Sequence, residues 1–429
     1  MASLVRNTAQ GIVTRVTIIG AGAAISALLP RYLGPAGMGT YSVINSAIGI
    51  GAILGGFGIH QSIIYHIGRR PSSDSTIAST GLTLAGGAGV VLAILVAGLL
   101  AVADVAGGIA FPVLLLLTAA IPFKLFQLVG QSVLLAKGRI LLYNLSQAAS
   151  WLTALPMLAI VLVLAKQGTL GALAAWCFSI LVAGVLSLLW VGSATTFRVA
   201  LNRGIVRDLL VHGGRAYVGT IVLRLLTRLD LFLVSLYLGE GDAGLYGASI
   251  MLGELILHLP SVVGPLVFAK VASATDDSPS LVARAVRVTL ALSAVAAGGL
   301  GVLSFWLLPL IWGDAFRLTS VLFAWLTPGI VAYSVFSILL AHLQGKGFPQ
   351  TVYVVPLIAL AANVGLDVGL LTIGGVRVAA ISSSVAYTLG AVILGVSFVR
   401  QNGVSWADLL LVKRRDLEAI VAVLCRRGP

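Results

Sequence analysis

The chain has 429 residues, of which 59% are hydrophobic and 10% are charged, and its mean hydropathy is +1.07. Soluble domains have about 25% charged residues, so this composition excludes an ordinary soluble protein and indicates an integral membrane protein. The 27 basic residues outnumber the 14 acidic ones. In a membrane protein this excess reports topology rather than nucleic-acid binding, because Lys and Arg stay on the cytoplasmic side. Two cysteines provide no disulfide framework.

Long apolar stretches follow one another along the whole chain. A helix needs about 20 mainly apolar residues to cross a bilayer. The first stretch runs directly into further apolar sequence, which indicates a retained helix rather than a cleaved signal peptide. The sequence therefore predicts an all-α integral membrane protein with twelve transmembrane helices, at 11–30, 39–63, 79–102, 110–135, 142–165, 169–193, 216–238, 244–268, 287–311, 320–343, 350–372 and 376–399.

The distribution of basic residues between these spans predicts the orientation. With the N-terminus inside, the inner tails and loops hold nineteen of the 27 Lys and Arg residues, the outer loops hold four, and four lie within spans. This asymmetry predicts a multi-pass membrane protein with both termini in the cytoplasm and an even number of spans.

An internal repeat divides the chain. Residues 32–41 read YLGPAGMGTY and residues 237–246 read YLGEGDAGLY, and each copy follows the first span of a six-span half. Halves of six spans enter from the same side, so they form parallel repeats about a pseudo-two-fold axis. Between the two halves, and again after the last span, apolar residues can form one face of a helix and basic residues the other. This pattern is typical of amphipathic helices that lie on an anionic leaflet. The sequence therefore predicts two six-helix lobes, 1–193 and 216–399. An amphipathic linker, 194–215, joins them, and an amphipathic tail, 400–429, follows.

The seventh span carries three charges, Arg224, Arg228 and Asp230. A charge near the centre of a membrane helix costs about 2.5–3.5 kcal/mol, so each of them needs a reason. On one continuous helix Arg224 and Arg228 share a face, which is typical of an anion site. The alternative is that the three charges only form ion pairs between helices. Asp230 either holds an arginine of a neighbouring helix or takes up a coupling cation.

Four further charges within spans are candidates. Lys124, near the middle of span four, is a substrate-binding candidate, and Arg15 either lines the same cavity or snorkels to the headgroups. Glu254, in span eight, is predicted to bind a proton or sodium, or else to pair with an arginine of span seven. Asp367 lies near the outer end of span eleven, where an interfacial charge is cheap, and is the third ion-coupling candidate. We predict no catalytic and no metal-binding residue.

Three segments resemble a known family. RYLGPAGMGTYSVINSAIGIGAILGGFGIHQSIIYHIGRR (31–70), LLAKGRILLYNLSQ (134–147) and RLDLFLVSLYLGEGDAGLYGASIMLGELI (228–256) are similar to conserved parts of polysaccharide-biosynthesis membrane proteins, the flippases of lipid-linked oligosaccharides such as O-antigen. Their superfamily, the multidrug/oligosaccharidyl-lipid/polysaccharide exporters, also contains multidrug antiporters and lipid II flippases. The resemblance implies a V of two lobes around a central cavity that the first, second, seventh and eighth helices line, and transport by alternating access.

The function expected from this resemblance is the transfer of a polyprenyl-pyrophosphate-linked oligosaccharide from the inner to the outer leaflet for lipopolysaccharide synthesis. A proton or sodium ion is the expected coupling cation, and membrane lipids, a glycan polymerase and glycosyltransferases are the expected partners. The alternative is a multidrug or organic-cation antiporter. An O-antigen polymerase or ligase needs a large outer loop, which the predicted topology lacks, so we predict that the protein is not an enzyme. No P-loop is present, and no cofactor is expected.

Overall fold

The computed structural model describes residues 2–69, 74–196, 198–199, 201–273, 279–413 and 416. Phe197 of the predicted linker and residues 417–429 of the predicted tail lie outside the described residues. The described residues form no β-strand, and their helices are α1 (Ala2–Gly56), α2 (Ile59–Arg69), α3 (Asp74–Ala103), α4 (Phe111–Thr118), α5 (Ala120–Ala136), α6 (Ile140–Ala159), α7 (Gly168–Ala194), α8 (Arg203–Leu226), α9 (Leu229–Leu238), α10 (Glu240–Ala272), α11 (Pro279–Trp312), α12 (Arg317–Gly345), α13 (Thr351–Gly374), α14 (Arg377–Asn402) and α15 (Trp406–Leu410).

Within the described residues, ten helical segments are long and apolar enough to cross a membrane. Nine of them coincide with predicted spans. The tenth, Val13–Gly56, is 44 residues long and runs through the first predicted span and most of the second. The predicted span 216–238 is divided between α8 and α9. The all-helical membrane architecture is confirmed, whereas the number of twelve spans stays a prediction.

The two repeated turns share a backbone conformation that requires glycine. Gly34 breaks α1 with φ 66° and ψ 178°, and Gly239, its match in the repeat, precedes α10 with φ 88° and ψ −178°. Residues with a Cβ avoid this region of backbone space, so glycine is needed at both bends. The sequence identity at these two positions thus has a direct structural cause.

The repeated turns also pack against each other. A Cβ on Gly39 would overlap the main-chain carbonyl of Glu240, and a Cβ on Gly244 would overlap that of Pro35. Gly39 matches Gly244 in the repeat, and Pro35 matches Glu240, so the two contacts are reciprocal. We refer to them as the glycine crossing. Beside it, the Thr40 hydroxyl donates a hydrogen bond of 3.1 Å to Glu240 Oε2.

Contacts divide the chain into two compact units, Met1–Gly247 and Ala248–Pro429. The first unit has α5 near its centre, in contact with α1, α2, α3, α6 and α7. Helix α8 also packs on α1, α2 and α3, so the start of the predicted C-terminal lobe belongs to this unit.

The predicted linker does not form a helix of its own. Helix α8 begins at Arg203, within the linker, is capped by the Asn202 side chain and continues into span seven. The predicted domain limits stay a prediction.

In the second unit, α12 packs against α11 and α14, and α13 packs against α14. The short helix α15 lies on α11. A buried ion pair holds this part of the chain, because Arg287 Nε of α11 donates to Asp416 Oδ2 at 2.7 Å. The Arg287 guanidinium also donates to the main-chain carbonyl of Asp408. The hydrogen bonds that Asp416 accepts from Arg287 and from the Lys413 main-chain N–H keep its pKa below its ordinary value, together with the charges of Arg287 and Arg284.

Candidate functional site

Lys124 and Arg224, which lie 100 positions apart in the sequence, come together in the first unit. Lys124 of α5 and Arg224 in the last turn of α8 are both half-buried. They lie close enough for their positive charges to act on each other. Arg224 Nη2 is 3.1 Å from the point where a Cβ on Gly49 of α1 would stand, so the glycine leaves room for the guanidinium. Three helices, α1, α5 and α8, thus position one basic pair.

Arg228 does not share a continuous helix with Arg224. Helix α8 ends at Leu226, the Arg228 backbone leaves the helical region with φ −143°, and α9 begins at Leu229. The Thr227 hydroxyl donates to the Arg224 carbonyl at 3.2 Å, within this last turn. The expectation that spacing by four residues places both guanidiniums on one helical face is therefore wrong. Arg228 is buried, with 9% of its surface exposed.

Asp230 occupies the first turn of α9 and is 1% exposed. Its Oδ1 accepts a hydrogen bond from the Leu231 main-chain N–H at 2.8 Å, and its Oδ2 accepts one from the Tyr246 hydroxyl at 2.5 Å. A carboxylate in the first turn also complements the positive end of the helix dipole. These contacts give Asp230 a role in the packing of α9 on α10, and its role in ion coupling stays a prediction.

The other two predicted positions on long helices differ in exposure. Arg15 is exposed on α1, and Glu254 is half-buried in the interior of α10. Both Glu254 and His258, one turn further along, take part in polar interactions of the fold. Their predicted roles in substrate binding and ion coupling stay predictions.

Asp367 lies in the interior of the second unit. It lies on α13 and is 0% exposed, and its place near the outer end of a span stays a prediction. The Ser382 hydroxyl of α14 donates to its Oδ1. Asn363, one turn earlier on α13, donates to the Ser383 hydroxyl at 3.2 Å. A carboxylate, an amide and two hydroxyls form a buried polar cluster, whose oxygens suit a proton or a hard cation.

Sequence reasoning missed the neutral partners of these charges. Gln127 accepts a hydrogen bond from Lys124 Nζ at 3.0 Å, and the Ser382 hydroxyl accepts from Asn363 and donates to Asp367. A signal existed, because Gln127 follows Lys124 by three positions and Asp367 follows Asn363 by four, which is the spacing of neighbours on one helical face. Among the described residues, no group of three or more His, Cys, Asp or Glu side chains has the arrangement of a metal site.

Comparison with known proteins gives one family and one fold. The family model described as polysaccharide biosynthesis protein matches residues 28–320. No curated protein sequence matches the chain.

Solved structures with the same fold have low sequence identity to this chain. The structure of "Lipid II flippase MurJ, inward closed conformation" has a TM-score of 0.77 at 16% identity and covers 99% of this chain and 93% of its own. An inward-facing multidrug resistance MATE family transporter of the MOP superfamily has a TM-score of 0.67 at 14% identity, over 92% and 98% of the two chains. An outward-facing structure of such a transporter has a TM-score of 0.64 at 16% identity, over 92% and 95%.

Proposed function

We propose, from the premise that the chain belongs to the polysaccharide biosynthesis protein family, that it is a flippase for a lipid-linked oligosaccharide. It moves a polyprenyl-pyrophosphate-linked glycan from the inner to the outer leaflet of a bacterial or archaeal inner membrane by alternating access. The observation that carries this proposal is the half-buried basic pair of Lys124 and Arg224.

The chemistry of such a substrate explains why a basic pair is needed. The polyprenyl tail can stay in lipid, but the pyrophosphate carries at least two negative charges and loses its hydration when it enters hydrocarbon. Moving an ion into a low-dielectric medium costs several kcal/mol even after relaxation. Guanidinium and ammonium groups offset this cost, because hydrogen bonds between ionised groups are about twice as strong as neutral ones. In this proposal Lys124 and Arg224 bind the phosphate oxygens, and Arg228 and Arg15 contact other acidic parts of the substrate.

The energy for directed transport comes from a coupling cation in this proposal. The buried cluster around Asp367 supports it, because a carboxylate next to Asn363 and Ser382 offers oxygen ligands away from bulk water. A proton or sodium ion on Asp367 is the coupling step that we propose, with Asp230 and Glu254 as further acidic candidates. Glycosyltransferases or a glycan polymerase act before and after the transfer.

An antiporter of organic cations is the second candidate, and the fold shared with multidrug transporters favours it. The basic pair argues against it, because the positive charges of Lys124 and Arg224 would repel a cationic drug. Asp230 and Glu254 would then be the drug ligands. The two functions differ in the sign of the substrate charge, which an experiment can test directly.

The test uses the purified full-length protein in proteoliposomes. A fluorescent polyprenyl-pyrophosphate disaccharide reports flipping through quenching by external dithionite, and tetraphenylphosphonium uptake reports cation transport. Wild-type protein should raise the rate of flipping and leave cation uptake at the level of empty liposomes.

Each of Lys124→Met and Arg224→Met should lower the flipping rate about tenfold or more, because each removes a charged hydrogen bond worth about 1.5–3 kcal/mol. Arg377→Gln, which removes one positive charge from an exposed position on α14, is the matched control and should flip as wild type. Cation uptake without glycan flipping would overturn the proposal in favour of the antiporter.

A further inference from the structure

Lys124 donates a hydrogen bond to Gln127, a side chain that carries no charge. Gln127 lies one turn further along α5 and is 2% exposed. Its Oε1 accepts a hydrogen bond from Lys124 Nζ at 3.0 Å, and its Nε2 donates one of 2.7 Å to the main-chain carbonyl of Ser146 on α6. Gln127 therefore connects Lys124 to the neighbouring helix.

The chemistry of these two partners fixes the orientation of the amide. An ammonium group can only donate and a carbonyl oxygen can only accept, so Gln127 Oε1 must face Lys124 and Nε2 must face Ser146. The Ser150 hydroxyl lies 3.0 Å from Nε2 and 3.2 Å from Oε1, and it accommodates this orientation. A reversed amide would place donor against donor and acceptor against acceptor in a buried site, so only one orientation is stable.

A second layer of contacts supports Gln127. The Ser146 hydroxyl is 2.6 Å from the Ser187 hydroxyl of α7, which joins α6 to the third helix of the cluster. A Cβ on Gly130 would stand 3.0 Å from the Ser187 Cβ, so α5 and α7 are in close contact one turn from Gln127. The Gln127 amide is therefore held by α6, which is itself joined to α7 through Ser146 and Ser187.

A neutral partner orients Lys124 without cancelling its charge. Among the described residues, Lys124 forms no ion pair with a carboxylate, and Gln127 takes one of its three N–H donors. We propose that Gln127 is a positioning residue, which directs the Lys124 ammonium and leaves its charge and its remaining donors for the pyrophosphate of the substrate. This inference rests on the proposed function, because it assigns Gln127 a role through the anion-binding Lys124.

The experiment measures binding of inorganic pyrophosphate to the purified full-length protein in detergent by isothermal titration calorimetry. In Gln127→Glu a carboxylate of nearly the same shape replaces the amide and neutralises Lys124. We expect affinity about 10- to 100-fold lower than wild type, the range of a lost charged hydrogen bond. Gln131→Glu, which adds the same charge one turn further along α5, is the matched control and should bind within about twofold of wild type.

A double-mutant cycle separates positioning from a merely structural role. If Gln127 acts through Lys124, then Gln127→Met, which removes the acceptor without adding a charge, should lower affinity about 3- to 10-fold in the wild-type background and cause no further loss in a Lys124→Met background, whereas independent effects would add. Gln127→Glu is not used in the cycle, because its carboxylate would itself repel pyrophosphate once Lys124 is gone. Gln127→Met also serves where Gln127→Glu does not fold.

The outcomes distinguish this inference from the proposed function. Equal losses of affinity in both backgrounds, or Gln127 variants that bind as wild type while Lys124→Met does not, would overturn the role of Gln127 and leave the anion site in place. Wild-type protein that binds no pyrophosphate would overturn the anion site itself, and the inference with it.

Discussion

Lys124 and Lys137 belong to the same part of the chain, one inside α5 and one directly after its last residue, yet they have opposite kinds of partner. Lys137 Nζ forms an ion pair of 2.6 Å with Asp74 of α3 and donates to the Ala194 carbonyl of α7 at 2.8 Å. Lys124 donates to the neutral Gln127. The ion pair of Lys137 thus joins three helices, whereas no carboxylate among the described residues neutralises the charge of Lys124.

The second unit repeats the Lys137 type of contact. Arg287 is 6% exposed and its charge is neutralised by Asp416, a residue outside the membrane-spanning helices. A basic side chain whose partner is a carboxylate therefore has a structural role here, and one whose partner is an amide is a candidate for function. Four substitutions or conditions test this distinction.

The largest effect on stability is expected for Asp416→Ala. Removal of one partner from a buried ion pair leaves an uncompensated charge and costs about 3–5 kcal/mol. We therefore expect a large fall in the thermal midpoint of the protein in detergent, with flipping per folded molecule unchanged. The exposed Asp314, which pairs with Arg317, provides the control, because Asp314→Ala should change stability by less than 1 kcal/mol. A similar small effect of Asp416→Ala would contradict a structural role for the pair.

Acidification should remove the same stabilisation more gradually. The hydrogen bonds from Arg287 lower the pKa of Asp416 below its ordinary value of 3.8. The unfolded chain then binds the proton first as the pH falls, so the contribution of the pair is complete above about pH 4 and is lost as the pH falls further. Thermal midpoints between pH 7 and pH 3 measure this loss. Asp416→Asn should have a flatter profile, and a profile as steep as wild type would place the acid sensitivity elsewhere.

Asp74→Asn should have a smaller effect, because the Lys137 pair is only partly buried, with 22% of each side chain exposed. Loss of the ion pair is offset in part, since Lys137 keeps the Ala194 carbonyl and the asparagine amide oxygen as acceptors. We expect a loss of about 1 kcal/mol in the free energy of unfolding, measured by chemical denaturation in detergent. A loss that persists in high salt would indicate a packing effect rather than a charge effect.

Lys124→Met should have the smallest effect on stability, despite its large effect on flipping. The substitution relieves the cost of a half-buried charge. It also leaves the Gln127 amide oxygen without its hydrogen-bond donor Lys124, a penalty of about 1–3 kcal/mol. These terms oppose each other, so we expect a net change within about 1 kcal/mol. If Lys124→Met strongly destabilised the protein, Lys124 would have a structural role like that of Lys137, and the distinction between the two lysines would be wrong.

The sequence predicts most of the helices because membrane spans depend on local composition. Long apolar runs and the two glycine turns are visible without tertiary information. The break between α8 and α9 is not, because Thr227 and Arg228 have no Gly or Pro to signal a change of backbone direction. It follows that the pairing of Arg224 with Arg228 could not be evaluated from spacing alone.

The candidate site depends more strongly on tertiary contacts. Lys124 and Arg224 stand out as charges in apolar stretches, but only packing of α1, α5 and α8 brings them together. Asp367 shows the same dependence, because its burial and its hydrogen bond from the Ser382 hydroxyl of α14 follow from the packing of two helices. Gln127 gives no compositional signal, and its spacing of three positions from Lys124 indicates only that the two side chains can be neighbours on one helical face.

The glycine crossing between the repeated turns sets a distance that side chains cannot adjust. Where large residues separate two helices, a change of rotamer or the substitution of a neighbour alters the spacing between them. At Gly39 and Gly244 the main chains themselves are in contact, so their separation is a property of the backbone. Any side chain larger than hydrogen at either position would therefore force the two turns apart.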